Sequence, residues 1–187
     1  MSNKLRIIGG EWRSRVISFD DAPSLRPTPA RVRETLFNWL QADVAGSRCL
    51  DLFAGSGALG FEAASRGAQR VVQVENNAKT CLKLKQNAMA LKAEHVEAVH
   101  ADVLKFLELC RDAFDLIFLD PPFGQGLVTP VCQQIARSGA LQPYGKIYIE
   151  TERNLKLTSL PGDWYLLKQK TAGDVSYNLF QRQLAHQ

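Results

Sequence analysis

Four consecutive residues, Asp120-Pro121-Pro122-Phe123, bring together groups with a definite chemical use. The Asp120 carboxylate and the Pro121 backbone carbonyl are both acceptors. Placed side by side, they can hold the two N–H bonds of one amino group. Phe123 offers a ring that can stack on a flat base. The preceding run, Phe114-Asp-Leu-Ile-Phe-Leu119, is apolar with β character and reads as a buried strand that the prolines end at once. An acid at the carboxyl end of a strand, a stiff turn and an exposed aromatic make a candidate reaction centre for an amino nitrogen. The plain alternative is a strand stopped by a proline turn, which is a common arrangement. Residues upstream weigh between the two.

Upstream lies Asp51-Leu-Phe-Ala-Gly55-Ser-Gly57-Ala-Leu-Gly60, where a strand passes into a helix through a glycine-rich turn. Glycines let the backbone turn tightly and approach a ligand closely, and Gly55, Gly57 and Gly60 fit the GxGxxG spacing of adenosine-containing cofactors. Taken alone, that spacing is a weak signal. The next strand ends at Glu75, whose carboxylate can accept two hydrogen bonds from ribose hydroxyls. Asp102 follows the third strand; its side chain either reaches an adenine amino group or caps the helix that follows. This geometry fits a nicotinamide dinucleotide and S-adenosylmethionine alike. Two features favour the latter. Asp51 suits a methionine ammonium group and would repel a pyrophosphate, and Asp120-Pro-Pro-Phe123 has no evident use in hydride transfer.

These sites need a scaffold. From Arg48 onward strands and helices alternate, which implies an α/β fold with a parallel sheet covered on both faces. Strands are expected at Cys49–Phe53, Arg70–Glu75, Val96–His100, Phe114–Asp120 and Gly145–Glu150. Helices are expected at Ala58–Ser65, Asn77–Leu91, Asp102–Cys110 and Gly126–Ser138. Trp164–Lys170 and Val175–Gln181, joined through Ala172-Gly173-Asp174, read as a hairpin that adds an antiparallel edge. Ahead of the sheet, Leu5 to Ile17 reads as a two-stranded ribbon turning at Gly9-Gly10, with Trp12 among its arginines. An irregular stretch from Asp20 to Pro27 follows. Thr28 is expected to cap a helix running to about Gln41, with Pro29 in its first turn. Val32, Leu36, Phe37 and Leu40 give that helix an apolar face, and Arg31 and Arg33 are placed elsewhere on its surface. The expected division is an appendage at 1–41 and a catalytic domain at 42–187.

Composition narrows the function. The 187 residues suffice for one domain with a real core. No apolar run reaches membrane-spanning length, and Met1-Ser-Asn-Lys shows no secretory pattern, so a cytoplasmic protein is expected. Cys49, Cys81, Cys110 and Cys132 are widely separated and flanked by apolar residues, which points to reduced, buried thiols. The histidines are only His95, His100 and His186, which argues against histidine nucleophilic catalysis and against a histidine metal site; no metal is expected. The net charge of +4 is uneven: residues 1–40 carry seven Lys/Arg and four Asp/Glu, whereas 41–150 carry eleven and twelve. A basic arm on a near-neutral body suits a polyanion, and the alternative is a solvated surface. Arg6, Arg13, Arg15, Arg26, Arg31 and Arg33 are the candidate phosphate contacts.

With these motifs in place, the chain resembles the class I S-adenosylmethionine-dependent methyltransferases. Asp51 to Gly60 is similar to their first motif, and Asp120 to Phe123 to the element found in enzymes that methylate amino nitrogens. More narrowly it resembles the RsmD family, which methylates N2 of a guanine in bacterial 16S ribosomal RNA. The residues that carry this are Leu5-Arg-Ile-Ile-Gly-Gly-Glu-Trp-Arg13, Leu25-Arg-Pro-Thr28 and Arg31-Val-Arg-Glu-Thr-Leu-Phe-Asn-Trp39. The resemblance implies a Rossmann-like, seven-stranded, mostly parallel sheet. It also implies a cofactor pocket at Asp51, Gly55, Gly57, Glu75 and Asp102 with neighbours Phe53, Ala54, Asn76, Val103 and Asp120. Catalysis is implied at Asp120, Pro121 and Phe123, with RNA presented to a monomer in the assembling small subunit. Two departures stand out: Asn76-Asn77 follows Glu75 where an aspartate is usual, and Gly124-Gln125-Gly126 has no basic residue to meet a phosphate. Other amine acceptors (adenine N6, a protein glutamine), a nicotinamide oxidoreductase and a non-catalytic RNA-binding protein are the competing readings.

Overall fold

A computed structural model describes residues 2–22 and 25–184. Met1, Pro23, Ser24 and 185–187, His186 among them, lie outside the described residues. A two-stranded antiparallel ribbon, β1 (Ser2–Arg6) and β2 (Val16–Asp20), precedes helix α1 (Ala30–Trp39). Then come β3 (Arg48–Leu52), α2 (Ala58–Ser65), β4 (Arg70–Glu75), α3 (Ala78–Ala90), β5 (Val96–His100), α4 (Val103–Leu109) and β6 (Phe114–Leu119). The chain continues through α5 (Val128–Ser138), β7 (Leu141–Glu152), β8 (Trp164–Ala172) and β9 (Val175–Arg182). The main sheet has seven strands in the order β5-β4-β3-β6-β7-β9-β8, parallel except where β9 runs against β7 and β8. The expected seven-stranded sheet with its antiparallel hairpin is therefore present.

Buried central strands explain the apolar runs. β3, β4 and β6 are covered on both faces, so Cys49-Leu50, Val71-Val72 and Leu116-Ile117-Phe118 need no polar alternation. One face packs Leu36 and Phe37 of α1, Phe61 of α2 and Leu84 of α3 against Phe118 and Tyr148. The other packs Leu107 of α4 and Val131 and Ile135 of α5 against Leu50, Ile117 and Ile149. Leu5, Ile7, Trp12, Ile17 and Phe19 belong to the first cluster, so the segment 1–41 shares the core of the sheet and builds none of its own. All four cysteines are buried and free.

The N-terminal ribbon departs from expectation at Gly9-Gly10. This pair is not the turn of the ribbon but its docking point on α2. A Cβ on Gly10 would stand 1.9 Å from the Ser65 carbonyl oxygen. The Glu11 N–H donates to that same oxygen at 2.7 Å, and the Ser65 hydroxyl donates to the Gly9 carbonyl at 2.6 Å. The glycines thus let the chain lie against the last turn of α2 and satisfy carbonyls that a helix end leaves without partners. Trp12 is drawn inside, its backbone N–H donating to the Ser65 hydroxyl oxygen at 2.9 Å and its ring 5.6 Å from that of His95. Arg13 and Arg15 consequently lie in the connecting turn rather than on a strand.

Beside this contact sits Glu62, which has no exposed surface. Its carboxylate accepts from the backbone N–H groups of Ile8 (3.0 Å) and Gly9 (2.8 Å), from Arg33 Nη1 (3.3 Å) and from Arg66 Nε (3.0 Å). A buried carboxylate holding four donors is tolerable; one deprived of them, or a buried Arg33 deprived of it, is not. Arg33 also donates to the Thr28 carbonyl (3.1 Å) and the Arg6 carbonyl (3.1 Å). At 3% exposure Arg33 is a structural cation and not the phosphate contact that the sequence suggested.

Glu62→Ala should lower unfolding stability by roughly 3–5 kcal/mol, because it strands the Arg33 guanidinium in the core. Urea denaturation followed by circular dichroism measures the loss.

Candidate active site

Strand register brings the acids into one row. β3 pairs with β4 at Asp51↔Gln73 and with β6 at Asp51↔Phe118, and β6 pairs with β7 at Leu119↔Ile149. Extending those registers by a residue or two sets Glu75, the glycine turn, Asp120 and Glu150 level with one another across four neighbouring strands. Side chains alternate faces, so Asp51, Phe118, Asp120, Tyr148 and Glu150 all point to the side covered by α1 and α2. Neighbouring strands lie about 4.8 Å apart, which separates Glu75 from Asp120 by about 10 Å. One end of an elongated ligand can rest at Glu75 while its reactive end lies at Asp120.

The glycine turn lies between them. The chain passes through left-handed conformations at Phe53 (φ 59°), Gly55 (φ 55°) and Gly57 (φ 78°) before α2 begins. The three motif glycines differ in use. A Cβ on Gly57 would press on Phe61 and Leu84 at 2.6–2.7 Å, and one on Gly60 would meet Gln73 Nε2 at 2.5 Å and Asp51 Oδ2 at 2.9 Å. Both are packing requirements. Of the three, only Gly55 borders open volume, its nearest neighbours being Phe53 and Leu25 at 3.8 Å, so the backbone there leaves room for a ligand to come close. Leu25, of the Leu25-Arg-Pro-Thr28 segment, closes over this turn.

Asp51 is buried beneath it and accepts from the Gly60 N–H at 3.0 Å. Burial above all, and then the charge of Glu75, push its carboxyl up to about 8, against the hydrogen bonds from Gly60 and Gln73. The side-chain amide oxygen of Gln73, Oε1, is buried and has no hydrogen-bond partner among the described residues. Glu75 accepts the Gly55 N–H on one oxygen and the Asn77 N–H on the other, both at 2.9 Å. A carboxylate oxygen has two lone pairs, so each retains one for an outside donor. Asp102 caps α4 through the Lys105 N–H at 3.1 Å, with Val103 buried behind it. Asn76 is exposed, its carbonyl oxygen 3.0 Å from His100 Nε2, while Ala54 is buried. An open cradle with unspent acceptors at Glu75 and an uncompensated acid at Asp51 fits a ligand with a ribose at one end and an ammonium group at the other.

The reaction end holds a residue that sequence reading missed. Glu150, 7% exposed, accepts from the Tyr148 hydroxyl at 3.1 Å and from the Thr28 hydroxyl at 3.4 Å. The same Thr28 hydroxyl acts on the half-buried Asp120. Burial first, then the charges of Glu150 and Asp51, hold the Asp120 carboxyl well above its usual range, and only the Thr28 hydroxyl opposes them. Burial likewise raises Glu150 against its two hydroxyl donors. One hydroxyl has one proton, so Thr28 can donate to only one of the two carboxyls at a time. This use of Thr28 replaces the expected helix cap: α1 is preceded by Pro29 and has no side-chain cap. Pro121 is buried, and Phe123 stands 43% exposed at the mouth, on a loop whose Gly124 N–H donates to Glu152 at 2.6 Å.

The remaining arginines are exposed at Arg6, Arg13, Arg15, Arg26 and Arg31. Arg6 reaches the Ser14 carbonyl (3.1 Å) and Arg15 the Ala90 carbonyl (2.9 Å), and neither forms an ion pair among the described residues.

A sheet of this strand order, with a glycine turn after β3 and acids ending the adjoining strands, defines a Rossmann-like methyltransferase. Residues 5–181 match the family described as conserved hypothetical protein 95. The chain is 41% identical over 182 residues to ribosomal RNA small subunit methyltransferase D of Escherichia coli (strain K12), covering 97% of this chain and 92% of that one. The Haemophilus influenzae protein of the same name is 43% identical, with 95% and 94% covered. Among solved structures, a putative methyltransferase of Escherichia coli, yhhF, superposes with a TM-score of 0.88 at 40% identity, over 97% of this chain and 99% of that one. A T. thermophilus 16S rRNA N2 methyltransferase (RsmC), solved with AdoMet and guanosine, gives a TM-score of 0.74 at 26% identity over 98% of this chain and 50% of that one. The chain belongs to the RsmD family of S-adenosylmethionine-dependent methyltransferases of small-subunit ribosomal RNA.

Asp51→Asn should stabilise the unliganded protein and abolish donor binding. Unfolded, Asp51 loses its proton near 3.9; folded, it keeps it to about 8. Between those values the folded state binds more protons, so the wild type loses stability as pH rises. The variant's advantage should be near zero at pH 4 and on the order of 2–4 kcal/mol at pH 8. Thermal unfolding at the two pH values and calorimetric titration of S-adenosylmethionine check both halves.

Proposed function

We propose that this protein transfers the methyl group of S-adenosylmethionine to the exocyclic N2 amine of a guanine in 16S ribosomal RNA, and that Asp120, Pro121 and Phe123 carry the transfer. The observation that supports this most is the level placement of Asp120 and Glu150, on the face that Asp51 shares, beside the cradle at Gly55 and Glu75. The Watson–Crick edge of guanine presents three N–H donors, on N1 and N2. The site offers them three acceptors: the Asp120 carboxylate, the Pro121 carbonyl and the Glu150 carboxylate. Adenine would bring its N1 lone pair against the same acids. The likeness to an N2 methyltransferase solved with guanosine points the same way.

When bound, S-adenosylmethionine supplies an electrophilic methyl group on a positively charged sulfur. The difficulty lies with the acceptor, whose lone pair is delocalised into the ring. Asp120 and the Pro121 carbonyl hold the two N–H bonds and favour a pyramidal nitrogen with its lone pair aimed at the donor, a positioning effect. As the N–C bond forms, positive charge grows on nitrogen, and acceptors that bond more strongly to that charge stabilise the transition state. The nitrogen then holds one proton too many. Asp120, whose proton affinity is raised by burial and by Glu150, is placed to take it. Phe123 stacks on the base once it has left its own stack. The exposed Arg6, Arg13, Arg15, Arg26 and Arg31 contribute sequence-independent affinity for the RNA backbone.

Asp120→Ala should reduce kcat by about 10²–10³ or more while leaving the Kd for S-adenosylmethionine within a few-fold; wild-type turnover would remove Asp120 from the mechanism. Glu150→Gln deletes a neighbouring negative charge, so the Asp120 carboxyl should release its proton at lower pH. The acid limb of the kcat/KM–pH profile on undermethylated small subunits should therefore move downward. An unmoved limb would show that Glu150 does not act on Asp120.

A further inference from the structure

A cavity of about 250 Å³ opens one strand beyond the reaction centre, between α1 and the antiparallel edge of the sheet. Trp39 of α1 lines it, as do Tyr148 of β7 and Tyr177 of β9, whose rings lie parallel (7°) with centroids 6.5 Å apart. Arg31 of α1 and Lys170 of β8 stand at its rim. Both are exposed, and neither forms an ion pair among the described residues. No acidic residue lines it.

The cavity and the reaction centre share a wall. The Tyr148 ring faces the cavity while its hydroxyl donates to Glu150 at 3.1 Å. Their chemistry is opposite. Carboxyl acceptors at Asp120 and Glu150 suit a base that presents N–H groups. Aromatic walls under two free cations suit a flat ring that carries a negative charge. The volume, below the roughly 300 Å³ of an ordinary small-ligand pocket, takes one ring system and not two. Base–aromatic stacking with cationic contacts to the backbone is how single-stranded nucleic acid is held. The wall is also set in place beforehand, because Arg33 and Thr28 tie the start of α1 to Glu62 and Glu150.

We propose that this cavity receives the nucleotide flanking the methylated one in the RNA chain, with its base against Trp39 and its phosphate between Arg31 and Lys170. A polynucleotide whose target base is turned into the mouth at Asp120 must place its next residue close by, and this cavity adjoins that mouth on the same face, Tyr177 standing opposite Glu150 on the neighbouring strand. The inference rests on RNA being the substrate.

The test uses the Arg31→Ala/Lys170→Ala double variant and, separately, Ala172→Trp. Ala172 is an exposed lining residue of the edge strand, where a large ring fills the cavity without disturbing the core. With undermethylated small subunits as substrate, each should raise KM about tenfold or more, with kcat within twofold and the Kd for S-adenosylmethionine unchanged. The double variant should also flatten the dependence of log affinity on log salt by about one to two units, which a purely structural role would not do. An unchanged KM and slope would overturn the proposal. So would a KM defect on assembled subunits that vanishes on deproteinised RNA, since the occupant would then be a ribosomal protein. A wild-type protein inert on every ribosomal RNA substrate would instead overturn the parent reading, and the flanking site with it.

Discussion

Everything at the mouth of the sheet depends on a carboxylate that never meets water. Glu62 holds two backbone N–H groups of the N-terminal segment and the guanidinium groups of Arg33 and Arg66. Ion pairs on a surface are worth little, but a fully buried acid makes every one of its donors obligatory. Arg33, so fixed, reaches the Thr28 carbonyl, and the hydroxyl of Thr28 reaches Glu150. A line of hydrogen bonds therefore runs from α2 through α1 to Glu150 on β7, the strand beside Asp120. The N-terminal segment is part of how the acids are held in place.

The same row of acids works against stability. Asp51, Asp120 and Glu150 crowd one face, and burial raises the proton affinity of all three. Carboxyls held above their ordinary range favour unfolding as pH climbs. Sites of catalysis commonly carry such a cost, because an acid content with its surroundings has no affinity left for a substrate. Here an ammonium group near Asp51 and an amine near Asp120 would each bring the charge or the donors that the free protein lacks.

How much of this was legible in the sequence depended on whether the determining interaction was local. β4 and β5 run over the expected residues, because their β-branched runs end at polar breaks that act within the segment. Asn77 and Asp102 cap α3 and α4 through the third residue onward, a bond formed within one turn. Thr28 has the right side chain for a cap, but its hydroxyl is taken by a partner 122 residues away. Arg33 is a charged residue on a helix, which reads as surface; only the buried acid opposite explains it. Glu150 carried no motif at all. Its signal was register: it stands level with Asp120 once β6 and β7 are paired, and that pairing becomes visible only in the fold. Glycines 9 and 10 read as the turn of the ribbon because such pairs commonly are; what they serve instead is a close approach to the end of α2, a partner more than fifty residues away.

The order of the last three strands has a consequence for assembly. β8 precedes β9 in the chain but lies outside it, and β9 is its only neighbour in the sheet. The two are joined through Gly173-Asp174, so they can pair as a hairpin before β9 settles beside β7. The β7–β9 pairing is the longer-range contact, and its loop entropy must be spent before it returns anything. The hairpin sets Lys170 opposite Tyr177, so the cation-rimmed cavity is completed when the hairpin docks and finishes the sheet. The glycine turn, built from β3, α2 and β4, needs none of that closure, whereas the wall beside Glu150 does, because β9 sets Tyr177 against it.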